Sequence, residues 1–145
     1  MKDYMIEALK QAKKSLKNED VPVGCIIVRN NRIIAKAHNL KEKKQKITKH
    51  AEVVAIEKAS KKLRTWHLDE CILYTTLEPC LMCSIVIAQS RIKKVIYALE
   101  NSENKNYFKY IEDAEPLAKK VEIIKGKYSE KSLELLQNFF QKMRK

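Results

Sequence analysis

The sequence predicts an α/β fold, and three observations support this class. Apolar runs of strand length alternate with helical apolar stripes from Cys71 onward. Two apolar runs, Gly24–Val28 and Arg32–Ala37, flank Asn30-Asn31, and Asn tolerates the positive φ of a tight hairpin turn. A chain of 145 residues is long enough for one compact core and too short for two. We therefore expect residues 1–145 to form a single domain.

The first half of the chain gives two further elements beside this hairpin. Apolar residues recur at helical spacing from Asp3 to Asn18, with Lys on the opposite face, which predicts a helix. The segment Lys41–Lys49 contains five Lys in nine residues and is predicted to be a polar loop. Its position at the entrance to His50 makes a binding role as plausible as a solvated loop. A second helix is predicted for His50–Leu63.

The second half alternates strands and helices, apart from residues 99–114, which have no clear period. The predicted strands are Cys71–Thr75, Lys94–Ala98 and Val121–Ile124, and the predicted helices are Cys80–Gln89 and Ser129–Lys145. Ser129 is the expected N-cap of the last helix, with Ser132 as the alternative. Strands separated by helices imply parallel pairing through right-handed crossovers. His50 and Cys80 then fall at helix N-termini on the edge where open α/β sheets place their ligands.

Two short clusters, His50-Ala51-Glu52 and Pro79-Cys80-Leu81-Met82-Cys83, contain the residues with distinctive chemistry. Cys80 and Cys83 are three apart, so their sulfurs leave a helix from the same face. Pro79 is expected to be the first helical residue, which places both thiols in the first turn, where the helix dipole favours thiolate. Two thiolates and an imidazole are ligands that zinc prefers.

The number of ligands and the position of Glu52 indicate a catalytic centre. Structural zinc sites have four protein ligands, whereas His50, Cys80 and Cys83 leave a fourth position for water. Glu52 follows His50 by two residues, and on a helix such neighbours do not point the same way. It is therefore a poor co-ligand, and we interpret it as the general acid/base. Cys25 and Cys71 are expected to be core residues.

The H-x-E and P-C-x-x-C motifs resemble the signature of zinc nucleobase deaminases. Together with Val21-Pro22-Val23-Gly24, Ser90-Arg91-Ile92 and residues 139–144, they resemble the bacterial tRNA-specific adenosine deaminase family. The resemblance implies a cytidine deaminase-like, three-layer α/β/α sandwich, with helices on both faces of a five-stranded mixed sheet whose hairpin edge is antiparallel. It also implies one Zn²⁺ per subunit, a homodimer, and hydrolysis of adenosine to inosine at the wobble position of a tRNA anticodon loop.

The same resemblance suggests which residues contact the RNA. Asn39 stands where the family uses an Asn to hydrogen-bond the target base, and the last helix resembles the one that contacts the anticodon stem-loop. The expected substrate contacts are Asn39, Glu78, Asn101 and Arg144. Phe140 is expected in the core, and Arg144 and Lys145 near phosphate. The chain departs from the family pattern in a Gly-free 99–104 segment with Asn101 at the expected Asp position, and in His38 and Lys49, where the family tends to have an aromatic residue and Ala.

Two other functions remain open at this stage. Guanine deaminases and fungal-type cytosine deaminases share both motifs, so the first alternative is a deaminase of free guanine, cytosine or a nucleoside. The second is a zinc-stabilised RNA-binding protein without catalysis, which would also need the ligands. The net charge of +12 fits a polyanionic partner, but only five of the 30 basic residues are Arg, so AT-rich codon usage explains part of it. No apolar run approaches the roughly 20 residues of a membrane span, and Met1-Lys2-Asp3-Tyr4 lacks a signal-peptide pattern. We therefore expect a cytoplasmic protein that does not contact membranes.

Overall fold

A computed structural model describes residues 3–101 and 106–144 and contains a five-stranded mixed sheet between two layers of helices. The strands are β1 Gly24–Arg29, β2 Arg32–His38, β3 Cys71–Leu77, β4 Lys94–Leu99 and β5 Glu122–Lys125. The α-helices are α1 Tyr4–Ser15, α2 Lys41–Lys44, α3 Ala51–Leu63, α4 Leu81–Gln89, α5 Tyr107–Tyr110 and α6 Ser129–Met143. Two 3-10 helices span Leu16–Asn18 and Pro116–Lys120.

The strands lie in the order β2-β1-β3-β4-β5. The β1–β2 hairpin is antiparallel, with Asn30 and Asn31 at φ 51° and 60° in its turn, as the sequence predicts. β1 also pairs antiparallel with β3, whereas β3–β4 and β4–β5 are parallel. The predicted three-layer α/β fold is therefore confirmed, including the antiparallel hairpin edge.

Strand β1 lies inside the sheet, between β2 and β3, and both of its faces are buried because successive side chains alternate between the two layers. Cys25 and Ile27 belong to the core beneath α3 and α4, while Ile26 and Val28 pack with Met5 of α1. Cys25 and Cys71 are both buried, as predicted.

Helix α1 lies unusually close to β1 at Gly24. A Cβ at Gly24 would stand 2.5 Å from the Ala12 backbone nitrogen and closer still to the Ala8 carbonyl. Ala8 and Ala12 are themselves fully buried, so small side chains on both elements permit this contact. The Gly24 N–H also donates to Thr76 Oγ1 (3.1 Å), which ties β1 to the end of β3.

The predicted end of the first helix and the predicted N-cap of the last helix are wrong. The first α-helix ends at Ser15, and the chain continues to Asn18 as a 3-10 helix. This 3-10 helix ends where Glu19 adopts a left-handed conformation (φ 56°). The last helix is preceded by Tyr128 as N-cap, with no side-chain cap bond, so neither Ser129 nor Ser132 caps it. Ser132 instead donates from its buried hydroxyl to the Thr76 carbonyl (2.7 Å).

The prediction that Phe140 is a core residue is also wrong. Helix α6 buries Ser132, Leu136 and Phe139, so its inner face does not include Phe140. Phe139 is 8% exposed and Phe140 is 46% exposed. The aromatic pair meets edge-on, with ring centroids 5.3 Å apart. Lys145 lies outside the described residues.

We expect Gly24→Ala to lower the free energy of unfolding by about 3 kcal/mol, because the added methyl meets α1 backbone that cannot move independently. Urea denaturation of the zinc-loaded protein measures this. Gly126→Ala is the matched control, since its Cβ would approach mainly the movable Ile96 side chain, at 2.8 Å. Equal losses in the two variants would contradict the close approach of α1.

Candidate metal centre and active site

Two helix N-termini bring the predicted ligands together. His50 is the N-cap of α3 and Cys80 is the N-cap of α4, both with extended backbone, and Cys83 lies in the first turn of α4. The prediction that Pro79 begins this helix is wrong, because Cys80 has ψ 177° and its carbonyl accepts the first helical bond, from Ser84 N (2.9 Å). Only one of the two thiols is therefore inside the helix.

The donor atoms of the three residues form a compact triangle. His50 Nδ1 lies 3.7 Å from Cys80 Sγ and 3.6 Å from Cys83 Sγ, and the three atoms lie within 4.8 Å of one another. Tetrahedral zinc, with Zn–S of about 2.3 Å and Zn–N of about 2.0–2.1 Å, requires N···S separations of about 3.6 Å. The donor set therefore fits one zinc ion with three protein ligands.

The electrostatics of this triangle also favour a cation. The pKa of Cys80 is lowered to about 4, first by the hydrogen bond from Cys83, with His50 contributing and burial opposing. The pKa of His50 is raised, first by its hydrogen bond to Cys80, while Lys41 opposes that shift. The hydrogen bond to Cys80 and burial hold the pKa of Cys83 well above its usual value. A thiolate is thus present at neutral pH, and a bound divalent cation would displace the remaining thiol proton.

Glu52 lies beside the triangle in the first turn of α3 and is 4% exposed. Its carboxyl pKa is raised to about 7, mainly because burial disfavours the charged form; Cys80 adds repulsion, and His50 opposes it. A carboxyl with a pKa near the working pH can both accept and return a proton. The geometry and the burial of Glu52 therefore suit a general acid/base.

The predicted base contact, Asn39, has a structural role in this chain. Its Oδ1 accepts from Ala51 N (2.7 Å) at the start of α3, and its Nδ2 donates to the Val21 carbonyl (3.0 Å). An amide oxygen has a second lone pair and an NH₂ a second hydrogen, so capacity for a ligand remains. Asn39 thus orients the helix that presents His50 and Glu52.

The other predicted contacts meet around one groove. Buried Glu78 accepts from Asn101 N through Oε1 (3.2 Å), and its pKa is raised mainly by burial. Asn101 and the exposed Arg144 both line a groove of about 760 Å³ between α6 and the ends of β3 and β4. Its walls include Leu77, Leu133 and Phe140. Positions 102–104 of the Gly-free segment lie outside the described residues.

Sequence reasoning missed the role of Asp20. This carboxylate is 1% exposed and accepts from the backbone N–H groups of Glu42 (2.7 Å) and Lys43 (3.2 Å). It thereby caps the short helix α2, so the prediction that the whole segment 41–49 is a loop is wrong for Lys41–Lys44. No local pattern signals this cap, because the capping residue lies more than 20 positions upstream.

The comparisons with known proteins agree that the chain resembles deaminases. The family model described as "Cytidine and deoxycytidylate deaminase zinc-binding region" matches residues 1–99. The tRNA-specific adenosine deaminase of Aquifex aeolicus (strain VF5) is 41% identical, over 99% of this chain and 96% of that protein.

Two solved structures resemble the chain. One, from a study of A-to-I editing by tRNA:A34 deaminases at the wobble position of transfer RNA, has a TM-score of 0.82, 29% identity, and coverage of 92% of this chain and 98% of the other. The second, guanine deaminase from Bacillus subtilis, has a TM-score of 0.68, 32% identity, and coverage of 97% of this chain and 95% of the other.

Within the described residues, no helix is both long and apolar enough to cross a membrane.

We expect Cys83→Ala to lose more than nine-tenths of its zinc, because removing one of three protein ligands leaves too few to retain the ion. Metal analysis by mass spectrometry after dialysis measures this. Cys71→Ala, which removes a buried thiol outside the triangle, should retain about one zinc per chain. Equal zinc content in the two variants would exclude Cys83 as a ligand.

Proposed function

The chain belongs to the zinc-binding cytidine and deoxycytidylate deaminase family, and from this premise we propose that it converts adenosine to inosine at the wobble position of a tRNA anticodon loop. The relatives that suggest the substrate are the Aquifex aeolicus protein and the tRNA:A34 deaminase structure. As part of the same proposal, the protein is one deaminase domain that acts in the cytoplasm.

The observation that most directly supports a hydrolytic deaminase is the three-donor triangle with buried Glu52 beside it. His50, Cys80 and Cys83 hold the zinc, which when bound makes water a nucleophile near neutral pH. Glu52 takes the first proton of the attacking water and delivers it to N1 of the purine ring, and it then transfers the second proton of that water to the departing amino group. The C6–O bond forms, the C6–N bond breaks, and ammonia leaves, so the proton balance closes on one carboxyl.

The substrate contacts in this proposal lie at the start of α3 and along the groove beside α6. Asn39 hydrogen-bonds the flipped-out base with the amide capacity that its two backbone bonds leave unused. Glu78 fixes the backbone at Asn101, which faces the groove. Arg144 lines the same groove and contacts phosphate. Exposed Phe140 adds an aromatic surface on which an unpaired base can stack.

Deamination of free guanine is the second candidate, favoured by the resemblance to Bacillus subtilis guanine deaminase. The two activities make opposite demands outside the metal centre. A free base needs a closed pocket, whereas a nucleotide in RNA needs an open path for the chain on both sides of the base.

We expect the zinc-loaded protein to form inosine in an anticodon stem-loop transcript with adenosine at the wobble position, and not to turn over free adenine, guanine or cytosine. Chromatography of nuclease-digested RNA, beside ammonia release from each free base, measures both reactions. Turnover of guanine with an untouched stem-loop would replace this proposal with the second candidate.

In the same experiment, Glu52→Gln tests whether Glu52 is the general acid/base. The rate should fall by about a hundredfold to ten-thousandfold, the range of general acid–base catalysis, with zinc and RNA binding retained. Glu57→Gln, on the same helix but exposed and paired with Lys49, is the control and should keep its activity. Stem-loop binding without any inosine in the unmodified protein would favour a non-catalytic RNA-binding protein.

The proposal includes a homodimer formed through α4. This helix is apolar around its circumference, yet Leu81 is 48% exposed and Met82, Ile85 and Val86 are only partly buried. Helices that are apolar all round are normally buried. Val86 also lines a groove of about 470 Å³ with Ile56 and Trp66, and Trp66 is 57% exposed. A second copy of the chain would cover this surface, as the family resemblance implies.

We expect the protein to have twice its chain mass of 16.9 kDa in solution and Val86→Glu to have the mass of one chain, because a buried carboxylate would be unpaired in the interface. Light scattering coupled to size-exclusion chromatography measures this. Leu133→Glu alters an exposed apolar residue of α6 and should leave the dimer intact. A single-chain mass for the unmodified protein would contradict the homodimer.

A further inference from the structure

A cluster of three lysines lies near His38, at the outer edge of the sheet. β2 is the edge strand and ends at His38. Burial is the first cause that lowers the pKa of His38, and three nearby positive charges lower it further. These charges belong to Lys14, Lys43 and Lys58, here called the lysine cluster. They come from three different helices, α1, α2 and α3.

Backbone and side-chain bonds hold the three lysines near His38. Ser15, the residue after Lys14, places its Oγ 3.2 Å from His38 Nδ1. Buried Asp20 accepts from the Lys43 backbone N–H (3.2 Å), which fixes α2 against the rest of the domain. Lys58 Nζ donates to the Lys36 carbonyl (2.7 Å), two residues before His38 in β2. Separate tertiary contacts therefore anchor each member of the cluster.

The cluster is not neutralised within the part of the chain that the structure describes. The five ion pairs there involve Lys10, Arg29, Lys36, Lys49 and Lys125. All three members of the cluster are exposed and none is among them. The pKa of Lys58 is lowered, first by burial and then by Lys14, so the charges also repel one another. An anion that binds between the three ammonium groups would offset their mutual repulsion.

Protection of the open sheet edge does not account for the whole cluster. Lysines on edge strands discourage pairing with other chains, and Lys36 on β2 can serve this purpose. Lys58 also covers one carbonyl of the edge strand. Lys14 and Lys43, however, belong to α1 and α2 and not to the edge strand, so protection of that strand gives no reason for their proximity to His38.

We propose that Lys14, Lys43 and Lys58 form a phosphate-binding surface for the RNA backbone, outside the pocket that receives the target base. The cluster adjoins the metal centre through one residue, because Asn39 follows His38 and bonds to the first residue of α3. RNA that enters the pocket thus has a positively charged path along this edge. The inference rests on the proposed function, since RNA is the polyanion concerned.

The test replaces the three lysines by Gln in the Glu52→Gln protein, so that RNA is bound without being converted. Fluorescence anisotropy measures the dissociation constant of a labelled anticodon stem-loop across a range of KCl concentrations. The control carries Lys93→Gln, Lys119→Gln and Lys120→Gln, three exposed lysines that precede β4 and β5, on the side of the sheet opposite β2. Both variants lose the same net charge, and both should retain zinc and the parent thermal midpoint.

We expect the cluster variant to bind about tenfold more weakly at 0.1 M salt. The negative slope of the logarithm of the association constant against the logarithm of the salt concentration should become shallower by about 2. The control should stay near the parent in both quantities. Equal slopes in the cluster variant and the parent, or equal losses in the cluster and control variants, would overturn the inference. Because binding is measured separately from inosine formation, an active parent with an unaffected cluster variant removes this inference alone and leaves the proposed function intact.

Discussion

The arrangement of the site depends on the N-termini of α3 and α4 meeting at one edge of the sheet. His50 and Cys80 are both N-caps, with extended backbone, so their side chains leave from the ends of the helices toward each other. Cys83, one turn into α4, completes the triangle. The positive N-terminal ends of the two helix dipoles favour a thiolate there. The burial of Glu52 in the same region raises its carboxyl pKa to about 7. One constraint on helix position thus sets both the donor geometry and the acid–base properties.

Polar bonds from outside the two helices keep these termini in place. Asn39 accepts from the first N–H of α3, and Glu78 holds the backbone at Asn101 beside the start of α4. On the opposite face of the sheet, Thr76 accepts from Ser132 of α6 through its carbonyl and from Gly24 through its hydroxyl. The end of β3 is therefore tied both to β1 and to helix α6. Residues that the family resemblance assigns to substrate binding have a structural function as well.

Much of the site could be predicted from the sequence because its chemistry depends on short spacings. H-x-E and P-C-x-x-C define the ligand set, and alternating apolar runs predict the strands and helices of an α/β fold. The wrong predictions concern features that depend on tertiary contacts. Phe139 rather than Phe140 is buried because the orientation of α6 is set by packing and by the Ser132–Thr76 bond. Asp20 caps α2 across a long stretch of chain, which no local pattern can reveal.

Substrate selection must depend on surfaces outside the metal centre. The resemblance extends both to a tRNA:A34 deaminase structure and to a guanine deaminase, so the fold is compatible with different substrates. Within the centre, a thiolate and a carboxyl of raised pKa are buried and make no distinction between a free base and a nucleotide. Around it, the groove lined by Asn101, Phe140 and Arg144 provides apolar and cationic contacts that a free base is too small to use. Since RNA gains binding energy from phosphates and stacked neighbours as well as from the reacting base, these outer contacts are where an RNA deaminase can be distinguished from its small-molecule relatives.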